Sequence, residues 1–291
     1  VRDIPAPLLA VLTGSPLTGE CVVLRARNGM LAGFTTLTRA QSIDLSADDG
    51  PGPVSCEHGM VLSAITLAAG LEASFAELQG PLGPIITRAA VEGGAWADAE
   101  AWLIEVSPGT SGYAPLLAGK VREARVEDPR FVFEIRSAGD AFNQALEQLI
   151  TPYCRLRFGS ARCGATPVTR SGTVTAVTDA MRFAISYTGG DQADDFFNVG
   201  EVEFTSGDLN GVISENLFKW DATGAGTASL VLMQPLPAAP AVGVTLTVRQ
   251  GCPKTRAACK ARQPDGDAAP FEGFPDVPGE DVLLYPNLGG S

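Results

Sequence analysis

"CVVLRARNGMLAGFTTL", residues 21–37, sets two apolar runs on either side of Asn28 and Gly29. Both turn residues tolerate positive φ, so the stretch predicts a β-hairpin with a two-residue type I′ turn, its strands starting near Cys21 and near Met30. Outward from this hairpin, strands are expected at 59–66, 99–106, 118–126 and 130–136, short apolar segments closed by glycine and proline. One helix is expected in "GDAFNQALEQLIT", where Phe142, Ala145, Leu146, Leu149 and Ile150 share a face, Asp140 caps the start and Pro152 stops the run. A shorter one is expected in "PIITRAAVEGG".

Beyond Pro152 the pattern turns to strands alone. "SGTVTAVT", "MRFAISYTGG", "NVGEVEFTSGDLNG", "ASLVLMQPLPAAP" and "VGVTLTVRQG" each alternate with period two and end in turn residues. The chain closes with "PFEGFPDVPGEDVLLYPNLGGS", whose prolines and glycines predict an extended segment lying over a neighbouring surface. The fold class is therefore mainly β. Residues 1–150 form a β-rich domain with one or two short helices, 151–262 a β-barrel or sandwich, and 263–291 a tail.

Composition narrows the function. Hydrophobic residues make up 45% and charged residues 19% of 291, an ordinary globular balance. A formal charge of −12 argues against a general phosphate-binding surface, yet suits a wall along which nucleic acid passes without sticking. "VLSAITLAAGL", from Val61, is too short to span a bilayer. The opening "VRDIPAPLLAVLTG" fits a secretory signal poorly, so a cytoplasmic origin is expected.

Four of the six cysteines form two pairs, Cys154 with Cys163 in "CRLRFGSARC" and Cys252 with Cys259 in "CPKTRAAC". The pairs border the second β domain, whose ends a sandwich or barrel brings together, so the four thiols are expected to meet. Around them stand Arg155, Arg157, Arg162, Lys254, Arg256, Lys260 and Arg262, with no acid in either stretch, several times the density of an even spread. Cations lower a thiol's pKa and offset the charge of a thiolate–metal centre, whereas disulfides need no such company. The intervals of eight and six residues exceed those of tight zinc knuckles and suit the larger cage of a 4Fe–4S cluster. From residue chemistry a cluster leads, with zinc and two disulfides as the alternatives. Cys21 and Cys56 lack basic company and read as buried free thiols.

Enzyme signatures are weak. His58, the only histidine, lies in "SCEHGM" two residues from Cys56, which places both on one strand face like a nucleophile pair, but no orienting group or hydrolase motif accompanies them. "GYAPLLAGKV" fails as a phosphate loop because Val121 stands where a hydroxyl residue is needed. Asp191, Asp194 and Asp195 in "GGDQADDF" lack calcium-loop spacing and read as a solvated turn. Trp96, Trp102 and Trp220 read as core or interface residues, with no interleaved arginines to make a base-stacking platform. No catalytic residue is assigned.

Taken in order, "PYCRLRFGSARCG", "EVEFTSGDLNG", "GVTLTVRQGCPKTRAACKAR" and "FEGFPDVPGED" resemble the C-terminal half of tail-tip hub proteins of long-tailed phages and gene transfer agents. "LRARNGMLAGFTTLTR" and "VREARVEDPRFVFEIRSAGDAFNQAL" resemble that family's N-terminal half. The resemblance implies a non-enzymatic hub subunit, a homotrimer joining the tail tube to the central tip or fibre protein, with a tail-associated peptidase as a further neighbour. It also implies a place in the baseplate of a virion-like particle assembled in the bacterial cytoplasm, with DNA passing through the lumen. Its 4Fe–4S cluster ligands carry over onto Cys154, Cys163, Cys252 and Cys259, flanked by Arg155, Arg157, Arg162, Lys254, Arg256 and Lys260.

Overall fold

The computed structural model describes residues 18–66, 73–108, 112–143, 150–262 and 270–276. The chain packs as two units: residues 1–144 with 203–213 and 236–240, and residues 145–202 with 214–235 and 241–291. Among the described residues no helix is long and apolar enough to cross a membrane.

The first unit is built on nine strands, β1 (Gly19–Arg25), β2 (Leu31–Thr35), β3 (Gln41–Ile43), β4 (Val54–His58), β5 (Val61–Leu62), β6 (Phe75–Pro81), β7 (Glu100–Val106), β8 (Ala114–Glu127) and β9 (Arg130–Ser137). They form one sheet in the order β3-β4-β2-β1-β7-β8-β9-β6-β5. Neighbours are antiparallel except β2 and β4, which run parallel. The sheet curls, because the rings of Phe34 on β2 and Phe131 on β9, four places apart in the order, lie 5.4 Å apart. Phe131 also packs on Phe133 at 4.6 Å, and Trp96 on Phe133 at 6.1 Å. All three are fully buried and form the centre of this unit. Gly80 makes room for them, since a Cβ there would stand 2.6 Å from the Phe131 ring.

The predicted β1–β2 hairpin is present, but its turn differs. Gly29 alone adopts positive φ, at 85°, and Ala26 and Met30 close the loop through Ala26 N–H to Met30 O at 2.9 Å. Gly29 N–H donates to Ala26 O at 2.9 Å, so the loop is three residues long, a tight turn followed by left-handed glycine, and not the two-residue type I′ turn. Asn28 holds it by accepting from Met30 N–H at 3.1 Å, using its side chain where the sequence reading used its backbone. The short helix expected near residue 88 is α1 (Arg88–Glu92), capped by Thr87 Oγ1, which accepts from Ala90 N–H at 3.1 Å. At the longer expected helix, residues 138–143 form a 3₁₀ turn and 144–149 lie outside the described residues.

Seven strands make the second sheet: β10 (Thr169–Val177), β11 (Arg182–Tyr187), β12 (Glu201–Phe204), β13 (Ile213–Glu215), β14 (Leu217–Gly224), β15 (Thr227–Leu232) and β16 (Thr245–Arg249). Their order is β13-β12-β16-β10-β11-β15-β14. Trp220 is buried on β14, with Phe197 at 4.6 Å and Tyr187 at 5.1 Å between ring centres. The decisive pairing is between the first and last long strands. Thr169 faces Arg249 in the antiparallel β10–β16 ladder, and Gln250 N–H donates to Val168 O at 2.8 Å. Entry to and exit from the sheet therefore lie side by side. α2 (Arg256–Arg262) follows β16.

Candidate metal centre

The β10–β16 ladder carries the two cysteine stretches to one place. Cys163 precedes β10 by a few residues and Cys252 follows β16 as closely, while Cys259 rides on α2, its N–H donating to Thr255 O at 3.0 Å. Cys154 is tied directly to the exit stretch, since its N–H donates to Lys254 O at 2.8 Å. Burial pushes the Cys259 thiol up, and Cys154, Cys163 and Cys252 each push it further, so these three sulfurs lie within electrostatic reach of Cys259. None is in a disulfide, and all four are partly exposed. The two-disulfide reading is not what the structure contains.

Lys254 shapes the knuckle. It takes a left-handed conformation, φ 63°, that turns its N–H onto Cys252 Sγ at 3.4 Å, while its Nζ donates to Leu156 O. Around Cys163, Ser160 Oγ accepts the Cys163 N–H at 3.3 Å, and Gly164 N–H donates to Ser160 O at 3.0 Å. The donor set of four free thiols, held by backbone hydrogen bonds, fits a sulfur-ligated metal. Among the described residues, no group of three or more His, Cys, Asp or Glu is placed to hold a metal ion.

The flanking cations have partners that the sequence reading did not foresee. Arg155 Nε lies 2.7 Å from Glu272 Oε2, and Arg162 pairs with the other oxygen of the same carboxylate. Arg157 and Arg249 reach Glu201 at 3.7 and 3.6 Å, and Arg256 reaches Asp276 at 3.2 Å. Arg262 donates to Gly251 O and lies 5.2 Å over the Phe158 ring. Lys260 sits in the last turn of α2, where a positive charge complements the helix dipole. The acid-free character of the two stretches is thus a property of sequence only. In space, Glu201, Glu272 and Asp276 supply the anions. Charge complementarity to "PFEGFPD" was the signal available for Glu272 and Asp276.

The remaining candidates take structural places. Cys56 is fully buried against Cys21, and hydrogen bonding to that thiol, then burial, raise it far from the nucleophilic range. His58 is exposed and holds its Nδ1 2.9 Å from Leu37 O, so the Cys56–His58 pair is not a nucleophile and base. "GYAPLLAGKV" enters strand β8 and cannot cradle phosphate. Asp194 accepts from Ala222 N–H of β14, the edge strand, at 2.8 Å, and Asp191 from Gly226 N–H in the turn that follows it at 2.7 Å. Asn198, held by Asp195 at 2.8 Å, accepts from Trp220 N–H at 2.8 Å. This loop satisfies backbone donors that an open sheet edge would leave bare. Trp96 and Trp220 are core residues, and Trp102 is half-buried under the Arg25 guanidinium at 5.1 Å.

Two family models match the chain in succession. Residues 5–166 match the family described as baseplate hub protein, N-terminal attachment domain. Residues 195–281 match the family described as phage conserved hypothetical protein BR0599. The thiol junction draws Cys154 and Cys163 from the first match and Cys252 and Cys259 from the second. No curated protein matches the chain. Among solved structures, a chain from the virion of a native gene transfer agent particle shares the fold at a TM-score of 0.75 and 23% identity, covering 99% of this chain and 98% of that one.

Proposed function

The chain belongs to the baseplate hub family through its N-terminal attachment domain, and on that premise we propose that it is a structural, non-enzymatic hub subunit of a phage-like tail tip. It joins the tail tube to the central tip or fibre protein, as a homotrimer whose lumen conducts DNA. Residues 1–150 carry attachment, 151–262 form the stapled β domain and 263–291 the tail. The net charge of −12 supports the conducting role, since a wall of like charge keeps phosphate from adhering.

At the junction, Cys154, Cys163, Cys252 and Cys259 hold a 4Fe–4S cluster whose role is mechanical. The observation that carries this reading is the gathering of four free thiols where β10 and β16 meet. The segments bearing them bury little, Leu156 and Ala165 being the only fully buried apolar side chains between 150 and 168, and α2 buries none. Sulfur ligation would fix loops that packing does not fix, because metal binding to a site absent from the unfolded chain adds directly to folding free energy.

The test is iron and acid-labile sulfide on protein purified without oxygen, together with its visible absorbance. Roughly four irons and four sulfides per chain with a brown chromophore are expected for a cubane cluster. One equivalent of zinc in a colourless protein would replace the cluster with a zinc staple, and neither metal would remove the cofactor altogether. Light scattering tests the trimer, and a monomer at particle-like concentrations would count against it.

A further inference from the structure

Residues 270–276 cross the thiol junction as a strap. Phe274 N–H donates to Thr151 O at 2.8 Å, and Arg155 N–H donates to Glu272 O at 3.3 Å, so the strap runs opposite to the loop bearing Cys154. Contact is close enough that a Cβ on Gly273 would stand 2.8 Å from the backbone carbon of Tyr153. Glu272, 21% exposed, places one carboxylate oxygen on Arg155 and the other on Arg162. Arg155 directly follows Cys154 and Arg162 directly precedes Cys163. A single carboxylate thus spans both ends of the cysteine loop. Four residues on, Asp276 reaches Arg256 on the helix that carries Cys259.

We infer that Glu272 is the positioning residue of the thiol junction, a clasp that sets the separation of Cys154 and Cys163 and couples seating of the strap to readiness for metal. Physical necessity comes from the loop itself. It has no regular strand, little apolar burial and two arginines that repel each other once the shared anion is gone. Hydrogen bonding from Arg155, aided by the charge of Arg162, holds the Glu272 carboxyl below the usual range, in keeping with a carboxylate engaged on both sides. Bidentate and shared pairs of this kind hold geometry better than isolated surface pairs. The coupling to metal rests on the cluster reading above, whereas the clasp does not.

The experiment uses the full chain, metal-free and metal-loaded, as wild type, Glu272→Gln and Arg256→Ala. In the metal-free form, alkylation resolved by peptide should label Cys154 and Cys163 about two- to fivefold faster in Glu272→Gln, the range expected when a local opening loses one shared ion pair. Arg256→Ala removes a pair between exposed side chains and should change these rates less than twofold or so. Cys21 and Cys56 report on the fold and should stay protected in both. Should Glu272→Gln expose them, Arg162→Gln, which removes the outer arm of the clasp, is read instead. In the loaded form, Glu272→Gln should release iron to a chelator faster than wild type. Wild-type labelling rates at Cys154 and Cys163 in both clasp variants overturn the inference. A wild type that takes up no iron from ferrous ion and sulfide overturns the cluster reading, and the labelling comparison still decides the clasp.

Discussion

Cysteines of one protein sit here in two opposite surroundings. Cys21 and Cys56 are fully enclosed in an apolar cluster with Val23, Ile43, Leu45, Val54 and Ile104. Cys154, Cys163, Cys252 and Cys259 are partly exposed on loops and a short helix that bury almost nothing apolar. In the first place, packing holds the chain and sulfur serves as a small hydrophobe. In the second, backbone hydrogen bonds and ion pairs stand where a core would be. The contrast teaches that thiols near cations, outside the core, mark where a fold lacks burial enough to hold itself.

The largest expected effect breaks the unpacked side of this contrast. Cys252→Ser should abolish iron retention and raise tryptic cleavage between Arg155 and Arg162 at least tenfold or so, as a locally unstable segment opens. In the entropic estimate, cross-linking the roughly 90-residue loop between Cys163 and Cys252 is worth about 4.5 kcal/mol, or on the order of 15 °C in Tm for a unit of this size. Unchanged cleavage would mean that the hydrogen bonds around Lys254 suffice alone.

Next comes the packed side. Phe133→Ala removes a fully buried ring that touches both Trp96 and Phe131, and should cost about 3–5 kcal/mol by denaturant unfolding. Iron per folded chain should not change. A parallel loss of iron would show that the two kinds of cohesion are not separate.

A smaller effect is expected at the edge of the second sheet. Asp194→Ala leaves Ala222 N–H without its acceptor and should cost about 1 kcal/mol, with faster amide exchange along β14. The same loop was read from sequence as a solvated acidic turn, and the exchange rate at Ala222 distinguishes a clamp from a bystander.

Legibility followed the strength of side-chain contrast. β1, β7 and β9 were readable because each holds a run of large apolar residues, Cys21 to Leu24, Trp102 to Ile104 and Phe131 to Phe133, bounded by charged residues. β6 alternates without fault, but its inward positions are Ala76, Leu78 and Gly80, two of which carry little hydrophobic signal, and the strand was missed. β14 was missed for another reason: a register shift at Phe218 puts the buried Leu217 and Trp220 three residues apart, not two, and a second shift follows at Thr223. At the junction, the four thiols and their surrounding bases were legible from composition. Glu272 was not, because the acids that balance those bases lie far away in sequence, and the left-handed turn at Lys254 has no glycine to announce it. Local signals gave the four cysteines, and only the ladder between β10 and β16 shows why their two stretches meet.

The smallest expected effect is the sharpest test of the comparison, because it makes at Cys56 a change as slight as the one that disables Cys252. Cys56→Ala deletes one buried sulfur and should cost about 1 kcal/mol, the transfer term for a group of that size plus a small cavity. Relaxation around it is favourable: Gly33 lies so close that a Cβ there would stand 3.0 Å from Cys56 Sγ, so the lost volume borders a backbone already packed tightly against it. Cys21 keeps its hydrogen bond to Thr35 Oγ1, 3.3 Å away, and the core keeps a polar partner for its remaining thiol. Iron content and alkylation of Cys154 and Cys163 should match wild type. If Cys56→Ala instead lowered iron content, its thiol would belong to the metal chemistry and burial would have been misread as indifference.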